Sequence, residues 1–305
     1  MSDPRSQQPL MPVRRPRGPS PEQVRRRRAV AFGAIVIAIV AAVLAVIVAL
    51  PHVQKTRAVV TLPPAPKPFR IIFPEGFSRD QMAVRVNDVA RIAERKSHKN
   101  VLIGRKAYLQ STKAATIPCF VPRRHKNLEG LLFPATYDFL ATTTTRQLVQ
   151  EQLQAFCTNW KSVNLSYARA KNLTNYDVLI IASMVEKETL APDERKLVAA
   201  VIYNRLHQGM PLGIDATLRY GLHIPPTQSI LQSQLESDNP YNSRKLTGLP
   251  PTPIANPGLA SIQAAAHPAK VDYLYFVRKP DKVHHFFTAS DTAFAQYECA
   301  HGYGC

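Results

Sequence analysis

A long uncharged stretch near the start of the chain, residues 29–50, constrains the fold most strongly. It contains no proline, and as a helix it would be long enough to cross the hydrocarbon core of a bilayer. The four arginines at 25–28 directly before it fit the positive-inside rule. We therefore expect a single-pass cell-membrane protein with a cytoplasmic N-terminus and an extracytoplasmic C-terminal part. A cleaved signal peptide is the alternative, since the stretch ends in an alanine-rich sequence.

The segments on either side of this stretch are expected to lack regular structure. Residues 1–28, rich in Pro, Arg, Ser and Gln, should form a disordered basic cytoplasmic tail. Residues 51–68 contain several prolines and should form a semi-rigid linker. The whole chain has a formal net charge of +18, which indicates an anionic partner. A membrane-tethered nucleic-acid binder is one alternative, but the basic run orients the membrane helix, so we expect no nucleic acid partner.

The four cysteines are Cys119, Cys157, Cys299 and Cys305. They form no CxxC pair, which argues against a zinc ribbon. Outside the membrane disulfides are permitted, and four cysteines allow three connectivities. Of these we favour Cys299 with Cys305, as a clamp on the C-terminal tail, and Cys119 with Cys157.

Beyond residue 68 the hydrophobic patterns predict an α+β fold. A strand at 69–73 precedes a helix at 79–96, in which Ser78 and Gln81 would form a capping box. Further helices are predicted at 105–112, 145–160, 174–189, 193–208, 260–267 and 290–298, with an antiparallel strand pair at 273–277 and 285–288. Residues 210–257 are rich in turn-forming residues, and we predict an ordered binding loop there because long loops in compact domains usually carry function.

The predicted helix at 174–189 should organise the domain. Thr174 and Asp177 can form a capping box, and the run that follows is apolar almost all round, so the helix should be buried. Two glutamates, Glu186 and Glu188, come directly after this run. A carboxyl that leaves a buried helix can have a raised pKa, because burial disfavours its charged form, and a general acid needs this. A solvated charge cluster at a helix end is the alternative.

Three histidines, His267, His284 and His285, raise the question of a zinc site. No HExxH motif is present, and the spacing does not place two of them on one helical face. The sequence also has no Gly-rich phosphate loop and no G-x-S-x-G motif. We therefore expect neither a metal nor a cofactor.

Nine stretches of the chain form a recognisable series. They are LEGLLFPATYDF (128–139), IASMVEKET (181–189), VAAVIYNRL (198–206), DATLRYG (215–221), NPYNS (239–243), GLPPTPIANPG (248–258), AAAHPAK (264–270), DYLYFV (272–277) and HHFF (284–287). In this order and spacing they resemble the endolytic murein transglycosylases, which are membrane-anchored enzymes with a YceG-like domain. The resemblance implies a small LysM-like α+β module at 69–135, then a mixed α+β YceG-like catalytic domain at 136–305, with no cofactor.

The resemblance also implies an activity. Such enzymes cleave the β-1,4 bond between N-acetylmuramic acid and N-acetylglucosamine in nascent peptidoglycan strands, leave a 1,6-anhydro end and so terminate elongation. The family's catalytic acid falls on Glu186. One carboxyl suffices because the sugar's own 6-hydroxyl is the nucleophile, whereas ordinary glycosidases need two carboxyls. Peptidoglycan synthases (penicillin-binding proteins) are the implied partners. A non-catalytic peptidoglycan-binding or scaffold protein of the cell-wall synthesis machinery is the alternative.

The remaining candidate residues follow from the helix geometry and the binding loop. Glu188 lies about 200° around the helix from Glu186, so we expect it to be a structural or solvated carboxylate. Loop tyrosines could stack on sugar rings and polar loop residues could hydrogen-bond to them, although such groups often only pack a loop. The candidate substrate-binding residues are Asp215, Thr217, Tyr220, Tyr241, Asn242 and Asn256.

Overall fold

The computed structural model describes residues 20–49, 66–117, 119–120, 124–125 and 127–303. The chain divides into two compact units, Met1–Pro64 and Ala65–Cys305. The described part of the second unit mixes helices with two-stranded antiparallel sheets, which confirms the predicted mixed α+β content. In chain order the elements are α1 (Pro21–Ala49), β1 (Phe69–Ile72), α2 (Arg79–Ser97), α3 (Arg105–Ser111), β2 (Ala115–Thr116), β3 (Arg124–His125), β4 (Thr136–Phe139), α4 (Thr145–Trp160), α5 (Ser166–Ala170), α6 (Asn175–Glu188), a 3₁₀ turn (Pro192–Glu194), α7 (Arg195–His207), α8 (Asp215–Gly221), α9 (Gln232–Leu235), α10 (Leu259–Ala266), β5 (Tyr275–Arg278), β6 (His285–Thr288) and α11 (Asp291–Ala300).

Helix α1 makes up almost all of the described part of the first unit. This helix begins at Pro21, so the arginines at 25–28 are helical where the sequence predicted a disordered tail; arginine is a good helix former and extends the apolar helix. None of its residues is buried. Among the described helices it is the one long and apolar enough to cross a membrane. Residues 1–19 and 50–65, which hold most of the predicted tail and linker, lie outside the described residues.

The first sheet of the second unit joins two segments that the sequence assigned to different domains. Strand β1 pairs antiparallel with β4, with Phe69 opposite Phe139 and Ile72 opposite Thr136. Because β4 begins after residue 135, this sheet crosses the boundary predicted between the 69–135 module and the 136–305 domain. One hydrophobic core also runs through both segments. The two therefore form one compact unit, and the LysM-like classification stays a prediction.

One of the two predicted disulfides lies within the described residues. Cys119 is bonded to Cys157 on α4, which confirms that pairing. Beside it Phe120 packs edge-on against Trp160, with ring centroids 4.8 Å apart. This disulfide therefore ties α4 to the segment between α3 and β3. Cys305, the predicted partner of Cys299, lies outside the described residues.

Helix α6 lies at the centre of the second unit. The predicted capping box is present, since the Thr174 N–H donates to Asp177 at 2.8 Å and the Asp177 N–H donates to the Thr174 hydroxyl at 3.2 Å. Residues 178–185 are all buried, and the helix packs against α7 and α10. It ends at Glu188 because Thr189 adopts an extended backbone. The two glutamates therefore occupy the last turn of a buried helix.

The segment at 210–257 is more regular than the sequence predicted. It contains the short helices α8 and α9, and Asp215 is the first residue of α8 rather than a loop residue. Helix α8 has seven residues, too few to show a helical periodicity in the sequence. The turn before α8 is held by Arg205, which donates to the Pro211 and Leu212 carbonyls at 3.0 Å.

Candidate active site

A cleft of about 960 Å³ opens beside the C-terminal end of α6. Residues of α8 and of the β5–β6 hairpin line it, with contributions from α2, α7 and α11. It brings together acids, arginines and aromatic rings, a mixture suited to a polar ligand with apolar ring faces. Its charged lining residues are Asp80, Lys187, Glu188, Arg205, Asp215, Arg219, Arg244, Arg278 and Glu298.

Glu188, the last residue of α6, lines this cleft. Burial raises the pKa of its carboxyl to about 7, an effect that Arg278 opposes and Asp215 reinforces. Because burial outweighs the arginine charge, the carboxyl keeps its proton to near neutral pH. A protonated carboxyl that faces a cleft can act as a general acid. The sequence analysis expected a structural or solvated carboxylate here, and the raised pKa and the position in the cleft favour a functional role instead.

Fixed positive charge surrounds this acid. Arg278 on β5 donates from Nη2 to the backbone carbonyl of Glu188 at 3.3 Å. Arg244 forms a hydrogen-bonded ion pair with Asp215 at the start of α8. The hydrogen bond to Asp215 raises the pKa of Arg244. Both cations are held in place before any ligand binds. They would stabilise the Glu188 carboxylate once its proton has been given away.

Glu186, the acid predicted from the sequence, points elsewhere. Its Oε2 accepts the backbone N–H of Gly258 at 3.1 Å. The described residues that line the cleft do not include Glu186. Glu188 is two positions further on, about 200° around the helix, so the two carboxyls diverge as the sequence analysis expected. The assignment of the acid to Glu186 stays a prediction, and the geometry of the cleft favours Glu188.

A second acid, Glu75, stands beside Glu186 at Gly258. Its carboxylate Oε1 lies 1.9 Å from the position that a Cβ on Gly258 would take, so a larger residue there would require the Glu75 side chain to move. Burial and then the Glu186 charge raise the pKa of Glu75. These contacts join the turn before α2 to the N-terminus of α10. The Glu186 carboxylate thus contacts the N-terminus of α10.

Two of the predicted substrate-binding residues reach the cleft and a third packs behind one of them. Asp215 and Tyr220, both on α8, line the cleft. The Tyr241 ring packs against that of Tyr220, with centroids 5.2 Å apart, and its hydroxyl hydrogen-bonds to Thr252 at 2.8 Å. Substrate contact by Asp215 and Tyr220 stays a prediction that their position supports.

The other three predicted residues are fully buried and serve the protein itself. The Thr217 hydroxyl donates to the Ile214 carbonyl at 2.7 Å. Asn242 donates to the carbonyls of Leu235 and Ser237 at 2.8 Å. The amide oxygen of Asn256 accepts the N–H of Leu132 at 2.9 Å, and its nitrogen donates to Phe77. All three are 0% exposed, so the structure favours a scaffolding role for them over substrate contact.

The sequence analysis missed a buried acid behind the cleft, Glu129. Its carboxylate accepts the Arg79 N–H at the start of α2 at 2.9 Å, the Asn256 amide at 3.0 Å and the Tyr220 hydroxyl at 3.1 Å. Burial raises its pKa to about 7, and the hydrogen bonds from Arg79 and Tyr220 partly oppose that rise. Glu129 therefore connects α2, the 248–258 segment and a side chain of the cleft.

A second feature that the sequence analysis missed is the contact between Glu194 and His285. The Glu194 carboxylate accepts the backbone N–H of His285 at 2.9 Å and lies 2.7 Å from its Nδ1. Both side chains are buried, and His285 also lines the cleft. Within the described residues, no three His, Cys, Asp or Glu side chains come together as metal ligands would. The expectation of no metal and no cofactor stays a prediction.

The fold and the cleft define a class of protein. It is a mixed α+β protein in which a buried helix presents a protonatable glutamate to a cleft of arginines and aromatic rings. A model described as the YceG-like family matches residues 49–298. The chain belongs to the YceG-like family.

Individual relatives agree with this assignment. The endolytic murein transglycosylase of Bacillus subtilis (strain 168) is 40% identical over 154 residues, which are 50% of this chain and 42% of the relative. That of Streptococcus pneumoniae (strain ATCC BAA-255 / R6) is 34% identical over 221 residues, 68% of this chain and 40% of the relative. The chain thus spans about two fifths of the length of these relatives. The crystal structure of a yceG-like protein from Listeria monocytogenes matches with a TM-score of 0.61 at 28% identity, covering 75% of each chain.

Proposed function

We propose that this chain is a peptidoglycan lytic transglycosylase. It cleaves the β-1,4 bond between N-acetylmuramic acid and N-acetylglucosamine within nascent glycan strands and leaves a 1,6-anhydro end, which stops elongation. The observation that carries the proposal is Glu188, a carboxyl with a pKa raised to about 7 that lines a mixed-charge cleft of about 960 Å³. The names of the curated relatives, endolytic murein transglycosylases, support it.

The chemistry needs one acid at the scissile bond. Glu188 donates its proton to the glycosidic oxygen as the bond from that oxygen to C1 breaks. The positive charge that develops at C1 is then met by the newly formed carboxylate. The 6-hydroxyl of the same sugar attacks C1 and closes the anhydro ring, and a base in the cleft takes up its proton. Water is not a reactant, so no second carboxyl has to activate it.

Arg278 and Lys187 fit the second half of this cycle. Both lower the pKa of Glu188 but do not overcome the effect of burial. The acid therefore starts protonated, and the carboxylate that it becomes is stabilised by charges already in place. Donation and recovery of the proton are thereby brought close in energy.

A matched pair of variants tests the activity and the identity of the acid. The full chain, purified in mild detergent, is incubated with nascent glycan strands, and anhydro ends are quantified by mass spectrometry. We expect Glu188→Gln to lower the rate by about 10²–10⁴-fold, as for loss of a general acid, and Glu186→Gln to retain most of it. The reverse result would return the acid to Glu186. A wild-type chain that binds strands but forms no anhydro ends would identify a binding or scaffold protein instead.

We propose further that α1 anchors the protein in the cell membrane with its N-terminus in the cytoplasm. The arginines at 25–28 support this orientation, and the partners would be peptidoglycan synthases that produce the strands. Protease added to intact spheroplasts should digest the Ala65–Cys305 unit and leave an N-terminal epitope protected. Protection of the larger unit would reverse the orientation. In-cell crosslinking that recovers no synthase would remove the proposed partners.

A further inference from the structure

The pair formed by Glu194 and His285 is built as an oriented base. The two residues come from distant parts of the chain, the 3₁₀ turn before α7 and strand β6. One carboxylate oxygen accepts the His285 backbone N–H at 2.9 Å and the other lies 2.7 Å from Nδ1. The side chains of His285 and Glu194 are only 2% and 7% exposed, respectively. Two contacts to one buried carboxylate fix both the position and the rotation of the imidazole ring.

This arrangement selects one tautomer of the imidazole. An ionised carboxylate can only accept hydrogen bonds, so Nδ1 carries the hydrogen and in the neutral ring Nε2 has the free lone pair. Nε2 has no hydrogen-bond partner within the described part of the chain, and the ring lines the cleft. The Phe276 ring packs edge-on against it at 5.4 Å. Nε2 is therefore the ring nitrogen left for a ligand in the cleft.

The hairpin links this histidine to the proposed acid through Arg278. His285 and Arg278 are direct partners across the β5–β6 ladder, and residues paired in this way project from the same face of a sheet. Arg278 in turn donates to the Glu188 carbonyl at 3.3 Å. A proton donor and a proton acceptor thus line the same cleft, as an acid–base reaction requires.

We propose that His285 is the general base of this cleft and that Glu194 is its positioning residue. The inference rests on the proposed transglycosylase function. As the 6-hydroxyl oxygen bonds to C1, its proton passes to Nε2, and the Glu194 carboxylate stabilises the imidazolium. The imidazolium then returns the proton, directly or through one water, to the Glu188 carboxylate that protonated the leaving oxygen. Both residues regain their starting state, and no co-reactant is consumed.

The test compares neighbouring residues of the same type. His285→Gln keeps an amide that can hydrogen-bond to Glu194 but cannot accept a proton. His284→Gln is the control, because the His284 side chain is exposed and contacts Asp281. With the full chain in detergent we expect His285→Gln to lower kcat by about 10²–10⁴-fold with KM changed less than a few-fold, and His284→Gln to match wild type.

The positioning residue has its own matched pair and a readout besides activity. Glu194→Gln should lower kcat by at least about tenfold, because an amide no longer enforces the tautomer, while the exposed neighbour variant Asp193→Asn should not. In ¹⁵N-histidine spectra of the wild-type chain, the neutral form of the His285 ring should carry its hydrogen on Nδ1 and none on Nε2. Glu194→Gln should change that pattern.

The outcomes separate this inference from the proposed function. A folded His285→Gln chain with kcat within about threefold of wild type refutes the base while leaving the transglycosylase intact. A neutral His285 ring with its hydrogen on Nε2 also refutes it, and this holds even when the His285 variant fails to fold. A wild-type chain that forms no anhydro ends removes the function and the base together.

Discussion

Raising the pH from 7 to 9 should switch off catalysis through the loss of one proton from Glu188. Burial raises the pKa of this carboxyl to about 7 from an ordinary value of 4.5. A general acid acts only while it is protonated, so a raised pKa keeps it active at neutral pH and activity falls as the pH rises through 7. An unshifted glutamate would be almost fully ionised at pH 7 and would serve poorly.

The size of the effect follows from the pKa. Each pH unit above it lowers the protonated fraction about tenfold, so Glu188 is half protonated at pH 7 and about 1% protonated at pH 9. We therefore expect kcat/KM to fall by roughly 50-fold between these two pH values. Above pH 8 the slope should approach one decade per pH unit.

The assay measures initial rates of anhydro-end formation at low strand concentration from pH 5 to pH 10, with circular dichroism to show that the chain stays folded. Glu129→Gln is the matched control, because the pKa of that buried carboxyl is also raised to about 7 although it lies behind the cleft. The descending limb should survive in this variant. A wild-type limb below pH 6, or a rate still flat at pH 9 in folded protein, would refute the argument.

Three further changes probe the packing behind the site, each followed by chemical unfolding with the fluorescence of the single tryptophan. The pKa of Glu129 is raised by burial from 4.5 to about 7. The stability linked to this group is therefore present below pH 4.5 and is lost as the pH rises through 7, by about 3 kcal/mol. Glu129→Gln should remove that share of the pH dependence, and an unchanged dependence of the unfolding free energy on pH would contradict the prediction. Cys119→Ser with Cys157→Ser opens a loop of 38 residues and should cost about 4 kcal/mol, whereas a loss under 1 kcal/mol would show that the disulfide adds little. Gly130 has a φ of +83°, and a Cβ there would lie 2.6 Å from a proline side chain. Gly130→Ala should therefore cost at least about 2 kcal/mol more stability than Gly209→Ala, where the added Cβ meets nothing within 4 Å. Equal losses of stability in the two variants would refute the steric argument.

Features that depend on neighbouring residues could be predicted from the sequence. The capping boxes at Ser78 and Thr174 formed as expected because each involves residues three positions apart. The β5–β6 pair lies within one or two residues of its predicted position. The membrane-length helix was also recognisable. Its predicted start at residue 29 was too late, because arginines are good helix formers and the helix continues through them towards the N-terminus. The ordered series of motifs likewise led to the family.

The site depended on contacts between distant residues. Helix α6 is apolar almost all round, so its pattern could not show which of Glu186 and Glu188 faces the cleft; the packing of the hairpin and α8 decided that. The buried Glu129 had one sequence signal, an acid within the apolar run LEGLLF, but its partners lie at positions 79, 220 and 256.

The sequence by itself determined the membrane-length helix, the α+β content, the ends of the main helices and the presence of carboxyls after a buried helix. Only the tertiary structure decided which carboxyl faces the cleft with a raised pKa, which polar side chains serve the scaffold and which histidine is held by a carboxylate. The physical reason is that helix caps and apolar periodicity arise from residues a few positions apart. Burial, and the pKa shifts that it causes, depend on everything that packs around a group in space.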